Sequence, residues 1–253
     1  ADILINLGLA ERANENFQAA LDAFSGACIA SPTDAGAWYQ KAEQENLMGL
    51  LEEAFLSVQQ ALTRHRFHAP AIFLSGRLHM TAKRDAEAVA VFSELVDRLP
   101  DFHPALINLG ILSENAGQLE QAKDYYQRAL TADQNFSEAY FRLGTVLQIQ
   151  GDFEGAKHAF ERGQNGDPDN AEAWFVYGDI LNHLGEVDAA LSAYRQVLRL
   201  NPDNIAAQWQ ANFCLPVVYR NENEIDSARK RYGNALDEWP DASALENKEG
   251  VKA

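Results

Sequence analysis

The feature that most constrains this chain is a spacing of 34 residues. Gly8, Ala42, Gly76, Gly110, Gly144 and Gly178 stand 34 apart, as do Ala20, Ala54, Ala88, Ala122, Ala156 and Ala190. A larger apolar residue stands four places after each of those alanines: Phe24, Val58, Phe92, Tyr126, Phe160 and Tyr194. A period of this length with alternating small and large residues is that of stacked helix–turn–helix units, each unable to bury its apolar face alone. The expected fold class is therefore an all-α solenoid. Such a fold presents a surface rather than a reaction centre.

Within one unit, apolar spacing of three and four predicts two amphipathic helices. In residues 137–170 the first carries Tyr140, Leu143, Gly144 and Leu147 on one face. Gly151 ends it, because glycine accepts the left-handed conformation of a helix C-terminus. The second begins at Phe153, turns Ala156, Phe160 and Gly163 inward, and stops at Asp167-Pro168-Asp169-Asn170. Gly49, Gly117 and Gly185 mark the same first turn, and Asn201-Pro202-Asp203-Asn204 the same stop. The small residues are expected where paired helices approach closely.

These residues resemble the tetratricopeptide-repeat (TPR) family over nearly the whole chain. Matching features are tryptophan at the fourth place of a repeat (Trp38, Trp174), Leu109-Gly110 at the seventh and eighth, and proline near the thirty-second (Pro32, Pro100, Pro168, Pro202). Six regular repeats fill residues 1–204, and a seventh, irregular one occupies 205–240. Residues 241–253 are expected as a tail or the start of a capping or linker helix. The resemblance implies a right-handed superhelix whose concave face is lined by the first helix of each repeat. It also implies a partner that is a protein or an extended peptide lying in that groove.

On that geometry the fifth place of each repeat faces the groove with Ile5, Tyr39, Phe73, Ile107, Phe141, Phe175 and Trp209. The sixth carries Asn6, Gln40, Leu74, Asn108, Arg142, Val176 and Gln210. Aromatic rings supply contact area at modest entropic cost, and amides can hydrogen-bond a peptide backbone whatever its sequence. Tyr39, Phe73, Phe141, Phe175 and Trp209, with Asn6, Gln40, Asn108, Arg142 and Gln210, are thus the candidate peptide-binding residues. The alternative is that both columns pack between repeats. A clamp for an acidic chaperone tail is disfavoured, since Ile5 and Leu9 stand where cations are needed and the groove holds Glu43, Glu114 and Asp179.

Other function classes find little footing. A net charge of −16 opposes binding to nucleic-acid phosphates and to anionic membranes. No apolar run approaches the roughly 18 residues that cross a bilayer. Cys28 and Cys214 make no disulfide framework, so a cytoplasmic location is the default. His65 and His68 have a spacing available to a metal, but no further ligands accompany them. No catalytic residue and no cofactor is expected in this segment. The chain begins at Ala1 inside a helical pattern and is expected to be part of something longer.

The seventh repeat contains four extra residues, since its second-helix alanine falls at Ala228, with Tyr232 in phase. Pro216 is expected to kink or end the preceding helix. The cluster Phe213, Leu215, Val217, Val218 and Tyr219 is unlike a polar solenoid cap, so Phe213, Pro216, Val217 and Tyr219 are expected at a domain junction. Residues 205–240 resemble the last repeat before the catalytic domain of bacterial SPINDLY-type and O-GlcNAc-transferase-like glycosyltransferases. That resemblance implies an acceptor-recognition region whose sugar-transferring domain lies beyond Ala253. The other expectation is a stand-alone scaffold for a multiprotein complex.

Overall fold

The computed structural model describes residues 1–214 and 222–238, and these form fourteen helices. The chain divides into two compact units, Ala1–Gln134 and Asn135–Ala253. The first holds α1 (Asp2–Ala13), α2 (Phe17–Ala30), α3 (Ala35–Leu47), α4 (Leu51–Arg64), α5 (Ala69–Thr81), α6 (Asp85–Arg98), α7 (His103–Asn115) and α8 (Leu119–Ala132). The second holds α9 (Ser137–Ile149), α10 (Phe153–Gly166), α11 (Ala171–His183), α12 (Val187–Leu200), α13 (Ile205–Phe213) and α14 (Glu222–Glu238). Inside each unit every helix packs on its neighbours in sequence. This is the all-α helical-repeat architecture.

The close approach of paired helices depends on one contact. The rings of Phe24, Phe92, Tyr126, Phe160 and Tyr194, all at most 2% exposed, lie against glycines of the preceding helix. A Cβ added to Gly144 would meet the Phe160 ring at 2.6 Å, and one added to Gly178 would meet Tyr194 at 2.6 Å. The second repeat is the exception that explains the rule. There the large residue shrinks to Val58, and its helix partner is Ala42; both are buried in one cluster with Ala54, Leu74 and Leu78. Size is conserved across the pair, as close packing requires.

Turns are locked by recurrent bonds. Gly49, Gly117, Gly151 and Gly185 adopt φ of 76°, 72°, 83° and 78°, the left-handed ending expected of glycine. The corresponding places of the first and third repeats hold Glu15 and Lys83 at φ 62° and 56°, so the turn geometry persists without glycine. The next first helix is capped by Asp34, Asn170 or Asn204, whose side chains accept from the N–H of Gly36, Ala173 and Ala207. Trp38 and Trp174 donate their indole N–H to the carbonyls of Pro32 and Pro168 at 3.2 and 2.8 Å, tying helix to preceding turn.

Two of the large rings carry a hydroxyl that reaches the opposite helix. Tyr126 donates to Glu114 at 2.8 Å and Tyr194 to Asp179 at 2.7 Å. Burial raises the Asp179 carboxyl above its ordinary value of 3.8, and the Tyr194 hydrogen bond only partly opposes this.

Two outcomes follow from these contacts. Gly76→Ala should destabilise by about 1–3 kcal/mol by overpacking against Phe92. Combining it with Phe92→Val, which recreates the Ala42–Val58 pair, should recover about 0.5–3 kcal/mol relative to the sum of the single losses in urea denaturation. For Asp179, a raised folded pKa means that its contribution to stability is full below pH 3.8 and falls as pH rises through the folded value. Asp179→Asn should therefore flatten the fall of melting temperature with rising pH over the range just above 3.8.

Candidate functional site

The second unit contains an open cleft of about 440 Å³ between the first helices of two successive repeats, α9 and α11. The α9 wall is Glu138, Phe141, Arg142 and Thr145, which at spacings of three and four occupy one helix face. The α11 wall is Glu172, Ala173 and Val176; Phe160 of α10 contributes to the floor, and Asp167 and Asn170 close one end. Phe141 and Phe160 lie with ring centroids 5.7 Å apart, giving the cleft an apolar base. Gly163 makes this possible: the Phe141 ring sits where a Cβ on that residue would be.

The polar lining is only partly satisfied internally. Arg142 Nε is 3.8 Å from Glu138 Oε1, a long and half-exposed pairing of little energetic weight. Thr145 donates its hydroxyl to the Phe141 carbonyl at 3.0 Å, which leaves the hydroxyl oxygen its capacity to accept. Asn170 is engaged by its capping bond and by donation to Asp167 Oδ2 at 3.2 Å. Glu172 stands exposed in the first turn of α11, where the helix dipole favours a carboxylate.

The first unit uses the corresponding helices differently. Arg12 of α1 donates to Gln44 Oε1 at 2.9 Å, to Glu43 Oε2 at 2.7 Å and to the Gln40 carbonyl at 3.1 Å. Gln44, fully buried, donates in turn to the Phe17 carbonyl. Tyr39 donates to Glu43 at 3.0 Å, and burial with the adjacent carboxylate pushes its hydroxyl up to about 12. This network fastens the first two repeats together. The residue that a groove would require, Gln40, keeps a buried Oε1 with no donor.

Of the residues expected to bind peptide, Phe141 and Arg142 meet in the cleft. The others lie in their own repeats. Phe73 packs on Phe92 and Phe102 at 5.7 and 5.5 Å, and Phe175 on Tyr194 at 5.8 Å, so the fifth-place rings are anchored on second helices. Asn108 donates to the Pro104 carbonyl of its own helix at 2.8 Å. Asn6 and Trp209 are exposed and Gln210 half-buried. Trp209 lies 4.4 Å from Phe213, which also meets Tyr232 of α14 at 4.9 Å. Pro216, Val217 and Tyr219 lie outside the described residues.

Spacing within the repeat also carried a signal that the fifth and sixth places do not contain. Glu138 and Glu172 are 34 apart, both at the second place of a repeat, and both line the cleft. Thr145, at the ninth place, joins them. The His68 ring caps α5 by accepting from the Ala71 N–H at 3.2 Å, and burial lowers its pKa, which favours that neutral acceptor. Among the described residues no group of three or more His, Cys, Asp and Glu is placed to hold a metal ion. No described helix is long and apolar enough to cross a membrane.

Comparison with known proteins agrees with the architecture. Tetratricopeptide-repeat family models match residues 1–35 and 142–205, 125–158, and 103–136. Together they cover more than half of the chain. No curated protein sequence gives a significant match. Among solved structures, Pseudomonas aeruginosa PilF is similar at 23% identity and TM-score 0.74, over 82% of this chain and 94% of that one. PilW, described as a type IV pilus biogenesis factor, gives 24% identity and TM-score 0.72 over 82% and 96%. YrrB, described as a TPR protein with an unusual peptide-binding site, gives 24% and 0.59 over 74% and 96%. At these identities the likeness shows the fold, and with the family matches it means that the chain belongs to the tetratricopeptide-repeat family.

Proposed function

We propose that this chain is a polypeptide-binding module that holds an extended segment of a partner protein in the cleft between α9 and α11. The observation that carries this is the cleft itself: an apolar base of Phe141 and Phe160 beneath a wall of outward-facing polar groups. Its volume, about 440 Å³, lies within the range of specific ligand sites and suits a few side chains of a peptide. Apolar contact supplies affinity there, while Arg142 and the Thr145 hydroxyl supply donors and acceptors for a peptide backbone. No group in the cleft is arranged as a nucleophile with its base, so binding is the chemistry it offers.

The module fits a scaffold for a multiprotein assembly, which is the setting we prefer because the cleft offers a binding surface. The acceptor-recognition region of a SPINDLY-like O-GlcNAc transferase is the second setting. It rests on the sequence resemblance of residues 205–240, and a doubly wound α/β sequence following Ala253 is the observation that would establish it.

Val176→Trp tests the cleft. The indole should fill the space above Phe141 and weaken binding of peptides selected from a random library by at least about tenfold, about 1.4 kcal/mol. The melt should stay near that of the parent chain, because Val176 is half-buried at the cleft wall rather than in the core. Unchanged affinity measured by titration calorimetry would place the binding surface elsewhere.

A further inference from the structure

We infer that the cleft between α9 and α11 selects peptide segments in which an apolar side chain is followed closely by lysine or arginine. This rests on the reading of the cleft as a peptide site and adds its charge preference. Three carboxylates, Glu138, Asp167 and Glu172, line the cleft against a single guanidinium, Arg142. The Arg142–Glu138 separation of 3.8 Å and the half-exposure of both groups leave their charges weakly coupled. Among the described residues Glu172 makes no ion pair, and the Asp167 carboxylate is engaged by the Asn170 amide, a neutral donor. The lining thus has an excess of negative charge over an apolar base.

That combination matches the shape of a lysine or arginine side chain. Such a side chain lays an aliphatic stem on apolar surface while its charged head reaches solvent or carboxylates. Here Phe141, Ala173 and Val176 offer the surface, with Glu138 on one wall and Glu172 on the other. An adjacent leucine-sized side chain occupies the remaining volume over the Phe141 ring, which itself rests on Phe160. A peptide rich in glutamate or aspartate meets the opposite field, both locally and from a chain of net charge −16. Like-charge juxtaposition of that kind excludes partners as effectively as complementary charge recruits them.

The test uses the full chain and three short, end-blocked peptides with a Gly-Ser frame and one leucine, followed by lysine, glutamine or glutamate. Affinities are read by fluorescence anisotropy at low ionic strength. The lysine peptide should bind about tenfold or more tightly than the glutamate peptide, and the gap should shrink as salt screens the exposed charges. Glu138→Gln combined with Glu172→Gln should abolish the preference. Both positions are exposed, so a melt unchanged from the parent confirms that the variant folds. Arg142→Gln, which keeps an N–H donor for the peptide backbone but removes the positive charge, should act with the opposite sign and widen the lysine-over-glutamate ratio, an effect that misfolding cannot imitate. If all three peptides bind equally, or the glutamate peptide binds best, the charge inference is overturned while the peptide site stands. If none binds, both readings fall.

Discussion

A ring pressed against a glycine holds this molecule together. Five of the first six repeats bring their two helices close enough for a buried Phe or Tyr of the second to touch the backbone of the first, and no side chain fits between them. Because the contact recurs in five of the six regular repeats, it fixes the helix pairing inside them. Dispersion at such a contact is lost steeply with small separations, so the pair tolerates changes only when both members change together. The Ala42–Val58 pair shows such a coordinated change within the same chain.

The candidate site grows out of the same packing logic. Gly163 lets the Phe141 ring settle onto α10, which lowers that ring to form part of the base of the cleft. Without the glycine the ring would stand up and fill the space. In the first unit Arg12 of α1 instead bridges three groups of α3, and fully buried Gln44 is one of them. The same family of positions thus yields a cemented junction in one unit and an open, acidic cleft in the other. The difference lies in single residues: an arginine donating across the first helix pair, and small or exposed residues along the second.

The fold was legible in the sequence because a 34-residue period repeats each packing constraint, so that Gly144 and Phe160 are supported by four equivalent pairs of glycine and ring. Turn residues were less informative. Glu15 and Lys83 adopt the left-handed conformation of their glycine counterparts because the surrounding helices impose it. The site was legible only in part. Counting fifth and sixth places found Phe141 and Arg142 but treated all repeats as equal, whereas Phe73 and Phe175, which rest on rings of their second helices just as Phe141 does, do not line this cleft. Glu138, Thr145 and Glu172 were missed because which places border a cleft depends on the local gap between helices, and a periodic pattern does not encode that gap. In the seventh repeat α13 ends at Phe213, nine residues long against thirteen for α11, and the junction residues that follow lie outside the described residues.

The most direct measurement of the central claim is backbone and methyl NMR of the full chain during titration with a library-selected peptide. The account predicts shift changes concentrated on Phe141, Arg142, Thr145, Ala173 and Val176, with those of Asn6, Asn108 and the Arg12 network unmoved. Saturable binding that shifts the first-unit residues and leaves the α9–α11 cleft silent would contradict it.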